Sequence, residues 1–261
     1  MQKIKIHKTA IIHPNAKLHP SVSVGPYSII GDKVTIDENV TVGSHCHIEG
    51  NTTIGKNCQI FSGAVVGSAP QDKKYSSEDD VFLLIGENNI IREYVTINAG
   101  TIEGGHKTVI GNNNLLMAYA HVAHDCVIGN NCVLANNGTV AGHVTVEDSA
   151  IVGGLRAVHQ FVRLGRLSIV GGCSKVVQDI PPFSTCDGHP AKVYNLNSIG
   201  LKRAKFSPRT IGSLKKAFKL LFHSGLAKAT AMARIEKEIE PCPEVEHLIF
   251  FAKTTKRGLC S

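Results

Sequence analysis

Aliphatic side chains return every six residues along most of the first two thirds of the chain. The series runs unbroken from Ile6, Ile12 and Leu18 to Val66, resumes at Ile85, Ile91 and Ile97, and runs again from Ile110 to Val176. It holds 26 positions without a polar exception. A period of six is neither the 3.6 of a helix nor the 2 of simple strand alternation. It fits a strand of a few residues followed by a tight corner. Three such sides close one triangular coil of 18 residues, and stacked coils pair their strands in parallel. The aliphatic residue points inward, and a small residue two positions before it (Cys, Val, Ala or Ser) helps fill the interior. The fold class expected is all-β, a parallel β-helix, with a small helical region after it.

Two segments lose the phase, about 67–84 and 98–109, and read as loops projecting from one side, where solenoids commonly bind. The repeat stops at Asp179-Ile180-Pro181-Pro182. Ser207-Pro208 then reads as a helix cap with proline in the first turn. Ile211, Leu214, Phe218, Leu221 and Phe222 form an apolar stripe that ends before Gly225. A second helix is expected at about 226–239, and a third, opened by Pro243, stops near Gly258. The domains expected are a β-helix over 1–188 and a basic helical region over 189–261.

Composition adds three points. Aromatics make up only 5% of the 261 residues, which suits a core of small and branched side chains. Cys46, Cys58, Cys126 and Cys132 share one phase of the repeat and no CxxC occurs, so the eight cysteines read as reduced thiols, with Cys acting as a small core residue. Lys and Arg balance Asp and Glu at 14 against 16 over residues 1–191 but at 14 against 5 over 192–261. The basic excess therefore lies in the tail, ready for nucleic acid, anionic lipid or an acidic protein. No apolar run is long enough to span a membrane, and MQKIKIHKTA lacks the apolar centre of a signal peptide. A cytoplasmic protein is expected.

An 18-residue coil turns sequence distance into adjacency, one strand spacing (~4.8 Å) apart. His124, Gly142 and Gln160 then form one column, with His143 and His159 beside it and His121 near the preceding corner. Such a cluster supports acyl transfer. A neutral imidazole can take the proton of an attacking alcohol, Asp125 could fix its tautomer, and a backbone N–H at Gly142 could stabilise an oxyanion. His121, His143, Gln160 and the loop pair Asp72 and Lys74 are polar enough to hold a sugar and its phosphates. Surface histidines and charged loops are also commonly just solvated.

The repeat resembles that of the hexapeptide transferases, whose coils wind left-handed. The segments SAPQDKKY, NLLMAYAHVAHDCVIGN, AVHQF, VGGCSKVVQDIPP and NLNSIGLKRAKFS further resemble the UDP-N-acetylglucosamine O-acyltransferases of lipid A biosynthesis, over essentially the whole chain. That resemblance implies His124 as general base for the sugar 3-hydroxyl and the Gly142 N–H as oxyanion donor. It implies that Gln71, Asp72, Lys74, His121 and His143 contact the amino sugar and its phosphates, that His159 and Gln160 line the cleft, and that Asn197 and Arg203 hold the nucleotide. The donor implied is a (3R)-hydroxyacyl chain on the phosphopantetheine of acyl carrier protein, an acidic protein suited to the tail. No metal or further cofactor is implied, and no nucleic acid or membrane insertion. The assembly implied is a homotrimer with active sites between subunits. Ile199 stands where some members carry Glu and Ala204 where some carry a second Arg, so Lys202 or Lys205 could substitute. Gly171 and Gly172 serve either turn geometry or, with His189, an acyl-chain pocket. Rival readings are a zinc hydratase resembling γ-class carbonic anhydrases, a non-catalytic scaffold, the N-acyltransferase of the same pathway, and an acceptor with a 3-amino group.

Overall fold

The computed structural model describes residues 6–261. Among them, strands of mostly two residues stack into three sheets that form the faces of a triangular prism. The first sheet has nine strands, from Ile11–Ile12 to Lys175–Val176, and the second has eight, from Lys17–Leu18 to Arg163–Leu164. The third begins at Ser23–Val24 and has ten. All pairings between coils are parallel, and uninterrupted coils are spaced by 18 residues, as in His121 with Thr139. Of the 26 periodic aliphatics, 23 are buried. The exceptions are Ile6, 44% exposed, and half-buried Ile12 and Leu18, which belong to the first coil. The four cysteines of the repeat are buried and free, and burial pushes the Cys126 thiol up to about 12.

Most corners are turned by a residue in the left-handed region, which side chains other than Gly enter at a cost. Tyr119, Asp125, Asn131, Asn137 and His143 all do so, with φ between 57° and 62°. One corner carries an asparagine ladder, as where Asn57 Nδ2 donates to Asn88 Oδ1 at 3.1 Å.

The two excursions are narrower than the lost phase implied. Val65–Ser68, Phe82–Ile85 and Lys107–Ile110 pair as strands, so the projecting segments are 69–81 and 99–106. They lengthen two coils: Val65 pairs with Thr96, and Thr96 with His121.

The helical region also begins later than expected. Ser184–Gly188 and Ala191–Leu196 form an antiparallel hairpin that extends the third sheet. Residues 189–196 are therefore not helical: alternate residues Lys192 and Tyr194 are exposed while Ala191 and Leu196 are buried. Four helices follow, α1 (Ser198–Arg203), α2 (Pro208–His223), α3 (Lys228–Glu238) and α4 (Pro243–Lys253). The short α1 was not expected. Ser207 caps α2 by accepting from the Thr210 N–H at 3.0 Å, and Ile211, Leu214, Phe218 and Leu221 join a second core with Leu248 and Phe251. The chain ends by pairing with the prism, where the Cys260 N–H donates to the Asp179 carbonyl at 2.9 Å.

Candidate active site

His124 and Asp125 turn the corner between strands His121–Val122 of the first sheet and Val127–Ile128 of the second. The His124 Nδ1 lies 2.7 Å from the Asp125 Oδ2. An ionised carboxylate only accepts, so Nδ1 carries the hydrogen and Nε2 keeps its lone pair. The Asp125 side chain is fully buried. Its Oδ1 accepts from the Thr101 N–H at 2.8 Å, and its Oδ2 also accepts from the Thr101 hydroxyl at 2.6 Å. Asp125 is thus turned inward, towards the imidazole.

Gly142 sits one coil along. A Cβ there would lie 2.7 Å from His124 Nε2, so only glycine lets the ring rest against this corner. Among the described residues, the Gly142 N–H donates to no protein acceptor, although Gly142 is buried. Buried backbone N–H groups are rarely left that way. The His143 N–H donates to the His124 carbonyl at 3.1 Å. Its ring stacks on Phe161 with centroids 4.4 Å apart, and its Nε2 is 3.8 Å from the Asp125 Oδ2. His121 Nδ1 lies 2.7 Å from the Thr96 hydroxyl oxygen. Burial, with His124 close by, holds the His121 pKa below its ordinary value.

His124, Asp125 and His143 offer ligand atoms within 4.8 Å of one another. The carboxylate oxygen among them already accepts two short hydrogen bonds, one from the Thr101 hydroxyl and one from the His124 Nδ1. The donor set therefore suits a hydrogen-bonded pair better than a metal.

The remaining site residues spread over the prism. Gln71 is exposed on the first excursion, where Lys74 pairs with Glu103 at 2.8 Å. A hollow of about 240 Å³ between the excursions is lined by Asp72, Lys74, Thr101 and Glu103, and Thr101 also bonds Asp125. Gln160 lies over Gly142, since the next N–H, of Phe161, donates to the Gly142 carbonyl. His159 instead faces Arg257, 3.2 Å away, and is not brought to His124. Asn197 and Arg203 line a separate groove of about 780 Å³ with Ser149, Leu167 and Ile199. The Asn197 amide is already engaged, capping α1 at the Gly200 N–H and donating to the Leu167 carbonyl. At the third corner, a Cβ on Gly171 would lie 2.6 Å from the Asp187 carboxyl carbon, whereas one on Gly172 would meet only the Gly154 carbonyl at 3.5 Å. His189 is exposed nearby in sequence. Thr96, Thr101, Gly104 and Phe161 belong to the site without having been singled out. Phe161 was within reach, being 18 residues from His143; Thr101 and Gly104 sit where the repeat carries no phase.

Residues 179–260 match the profile of UDP N-acetylglucosamine O-acyltransferase, domain 2, and residues 107–142 the six-repeat bacterial transferase hexapeptide profile. The acyl-[acyl-carrier-protein]–UDP-N-acetylglucosamine O-acyltransferase of Thermodesulfovibrio yellowstonii is 50% identical over 256 residues, 98% of this chain and 99% of its own. The chain belongs to this family. The Myxococcus xanthus O-acyltransferase is also 50% identical, over 75% of this chain and 76% of its own. Among solved structures, the Acinetobacter baumannii enzyme aligns with a TM-score of 0.95 at 42% identity, covering 98% of this chain and all of its own. The Moraxella catarrhalis UDP-N-acetylglucosamine O-acyltransferase gives 0.94 at 41%, covering 99% of this chain and all of its own. The fold is accordingly the left-handed parallel β-helix of the O-acyltransferases, with a helical C-terminal region. No helix among the described residues is long and apolar enough to cross a membrane.

Proposed function

We propose that the chain transfers a (3R)-hydroxyacyl chain from acyl carrier protein to the 3-hydroxyl of the glucosamine ring of UDP-N-acetylglucosamine, in lipid A biosynthesis in the cytoplasm. One observation carries the reading: an imidazole held by a buried carboxylate through Nδ1, with its free Nε2 beside an unpaired backbone N–H at Gly142.

Chemistry follows from that pair. His124 Nε2 takes the hydroxyl proton as the sugar oxygen bonds to the thioester carbon. Negative charge then develops on the carbonyl oxygen, where the Gly142 N–H is an oriented donor. Collapse breaks the carbon–sulfur bond, and the imidazolium returns its proton to the leaving thiolate. Asp125 holds the tautomer and offsets the imidazolium charge throughout. Nothing in this sequence calls for a metal or a further cofactor.

In this reading His121, His143, Lys74, Asp72, Gln71 and Gln160 hold the amino sugar, and the basic C-terminal region suits an acidic carrier protein rather than nucleic acid. Lys202, Arg203, Lys205, Arg209, Lys215, Lys216 and Lys219 are exposed there, and such a field steers association more than it adds affinity. The nucleotide groove at Asn197 and Arg203 and the open Gly172 corner are not joined to His124 within one chain. A homotrimer with sites between subunits would bring them together.

The test is turnover of UDP-N-acetylglucosamine with hydroxyacyl-carrier proteins of several chain lengths, after chelation. His124→Ala should cut kcat by roughly 100- to 10,000-fold while circular dichroism and sedimentation stay unchanged. Retained turnover in that variant would remove the general-base role. Activity only with a 3-amino sugar would reassign the acceptor.

A further inference from the structure

We infer that Thr101, on the second excursion, is a positioning residue that directs the Asp125 carboxylate to His124; this rests on the acyl-transfer reading of the site. Two neighbouring histidines could take the Oδ2 of Asp125. The His124 Nδ1 is at 2.7 Å and the His143 Nε2 at 3.8 Å. The carboxylate rotates about a broad, two-fold torsion, so something must choose between them. Thr101 does so by gripping both oxygens, its N–H on Oδ1 at 2.8 Å and its hydroxyl on Oδ2 at 2.6 Å.

The hydroxyl is itself aimed. It accepts from the Gly104 N–H at 3.1 Å, so its own hydrogen is left for the carboxylate. The loop closes on this arrangement with the His106 N–H donating to the Thr101 carbonyl at 2.8 Å. Gly104 lies flat against the acid, where a Cβ would come within 1.9 Å of the carboxyl carbon. From the other side, the Thr108 hydroxyl oxygen accepts the Asp125 N–H at 2.8 Å. A relay results, from the Gly104 N–H through the Thr101 hydroxyl to the carboxylate that His124 also bonds. Thr101 is 7% exposed. The excursion thus supplies the outer shell of the catalytic pair, and outer-shell partners that fix a histidine's orientation matter nearly as much as the groups it serves.

Thr101→Val keeps the shape and the backbone bond and removes only the hydroxyl. Its kcat should fall about 10- to 100-fold, with KM changed less than twofold, and Thr101→Ser should restore most of the loss. Histidine-selective 15N spectra, with His124→Ala used for assignment, should show one Nδ1–H tautomer in the wild type and Thr101→Ser and a mixture in Thr101→Val. Wild-type kcat in Thr101→Val would overturn the inference, as would a loss that Ser does not restore while the tautomer stays single. The tautomer comparison needs no substrate. A wild type without turnover would therefore sink the acyl-transfer reading, while the spectra still decide the role of Thr101.

Discussion

Arg156 occupies an interior position of the coil, two residues before Val158, where the repeat mostly places small side chains. It is 2% exposed, and burial lowers its pKa to about 10. Gly153 makes room for its guanidinium, since a Cβ on that glycine would first meet Arg156 Nη2. One nitrogen, Nη2, donates to the carbonyls of Val170 and Gly171, but Nε and Nη1 have no partner. Both carbonyls have other donors, the Gly153 N–H at 3.2 Å and the Ser174 hydroxyl at 2.9 Å. Removing the guanidinium therefore orphans nothing, and an incompletely bonded buried charge is a poor source of stability. Arg156→Val should stabilise the chain by about 1–3 kcal/mol, read as a rise in Tm of several degrees. A fall in Tm would mean that the Nη2 bonds outweigh the desolvation. The six-residue pattern locates this position, yet the reading that followed the aliphatic series passed over the one charge inside it.

Glu147 couples the last element to the prism. It accepts from His247 of α4 at 2.7 Å, from Arg163 at 3.3 Å and from the Arg166 N–H at 2.8 Å. Burial alone would raise its pKa, but the bond and charge of His247, with the Arg166 and Arg163 bonds, outweigh it and hold the carboxyl below its ordinary value. A carboxyl lowered on folding stabilises the native state above its unfolded pKa of about 4.3. That contribution is lost as pH falls through the lower folded value. Glu147→Gln should cost about 1–2 kcal/mol at pH 7, with the gap from wild type closing below about pH 4. A gap that persists unchanged in acid would show that packing of Phe251 under Arg163, at 4.2 Å, does the docking instead. Element by element, the prism was legible because one periodicity governs all its faces, and α2 because its stripe and Ser207 cap agree. The hairpin at 184–196 was hidden because its alternation is short and follows the end of the repeat. The inward turn of Asp125 was also not decided by the repeat, since it depends on Thr101 from a loop without phase.

At the scale of the whole molecule, the three groups assigned to substrate lie on three different edges of one prism. His124 turns the edge between the first and second sheets. The groove of Asn197 and Arg203 begins at Ser149, between Thr145–Val146 of the second and Ile151–Val152 of the third. Gly171 and Gly172 follow Ile169–Val170 on the edge leading back to the first sheet. A rigid solenoid cannot fold these edges together, because each coil is held in register by its neighbours. A symmetric assembly can set one edge of a chain against another edge of the next. The consequence is testable by complementation. His124→Ala and Arg203→Ala should each be nearly inactive, while trimers reassembled from an equal mixture should regain about a quarter of the wild-type sites, those pairing an intact His124 of one chain with an intact Arg203 of its neighbour. If both residues served a site within one chain, every mixed trimer would remain as inactive as its parents, and the division of the site between subunits would be wrong.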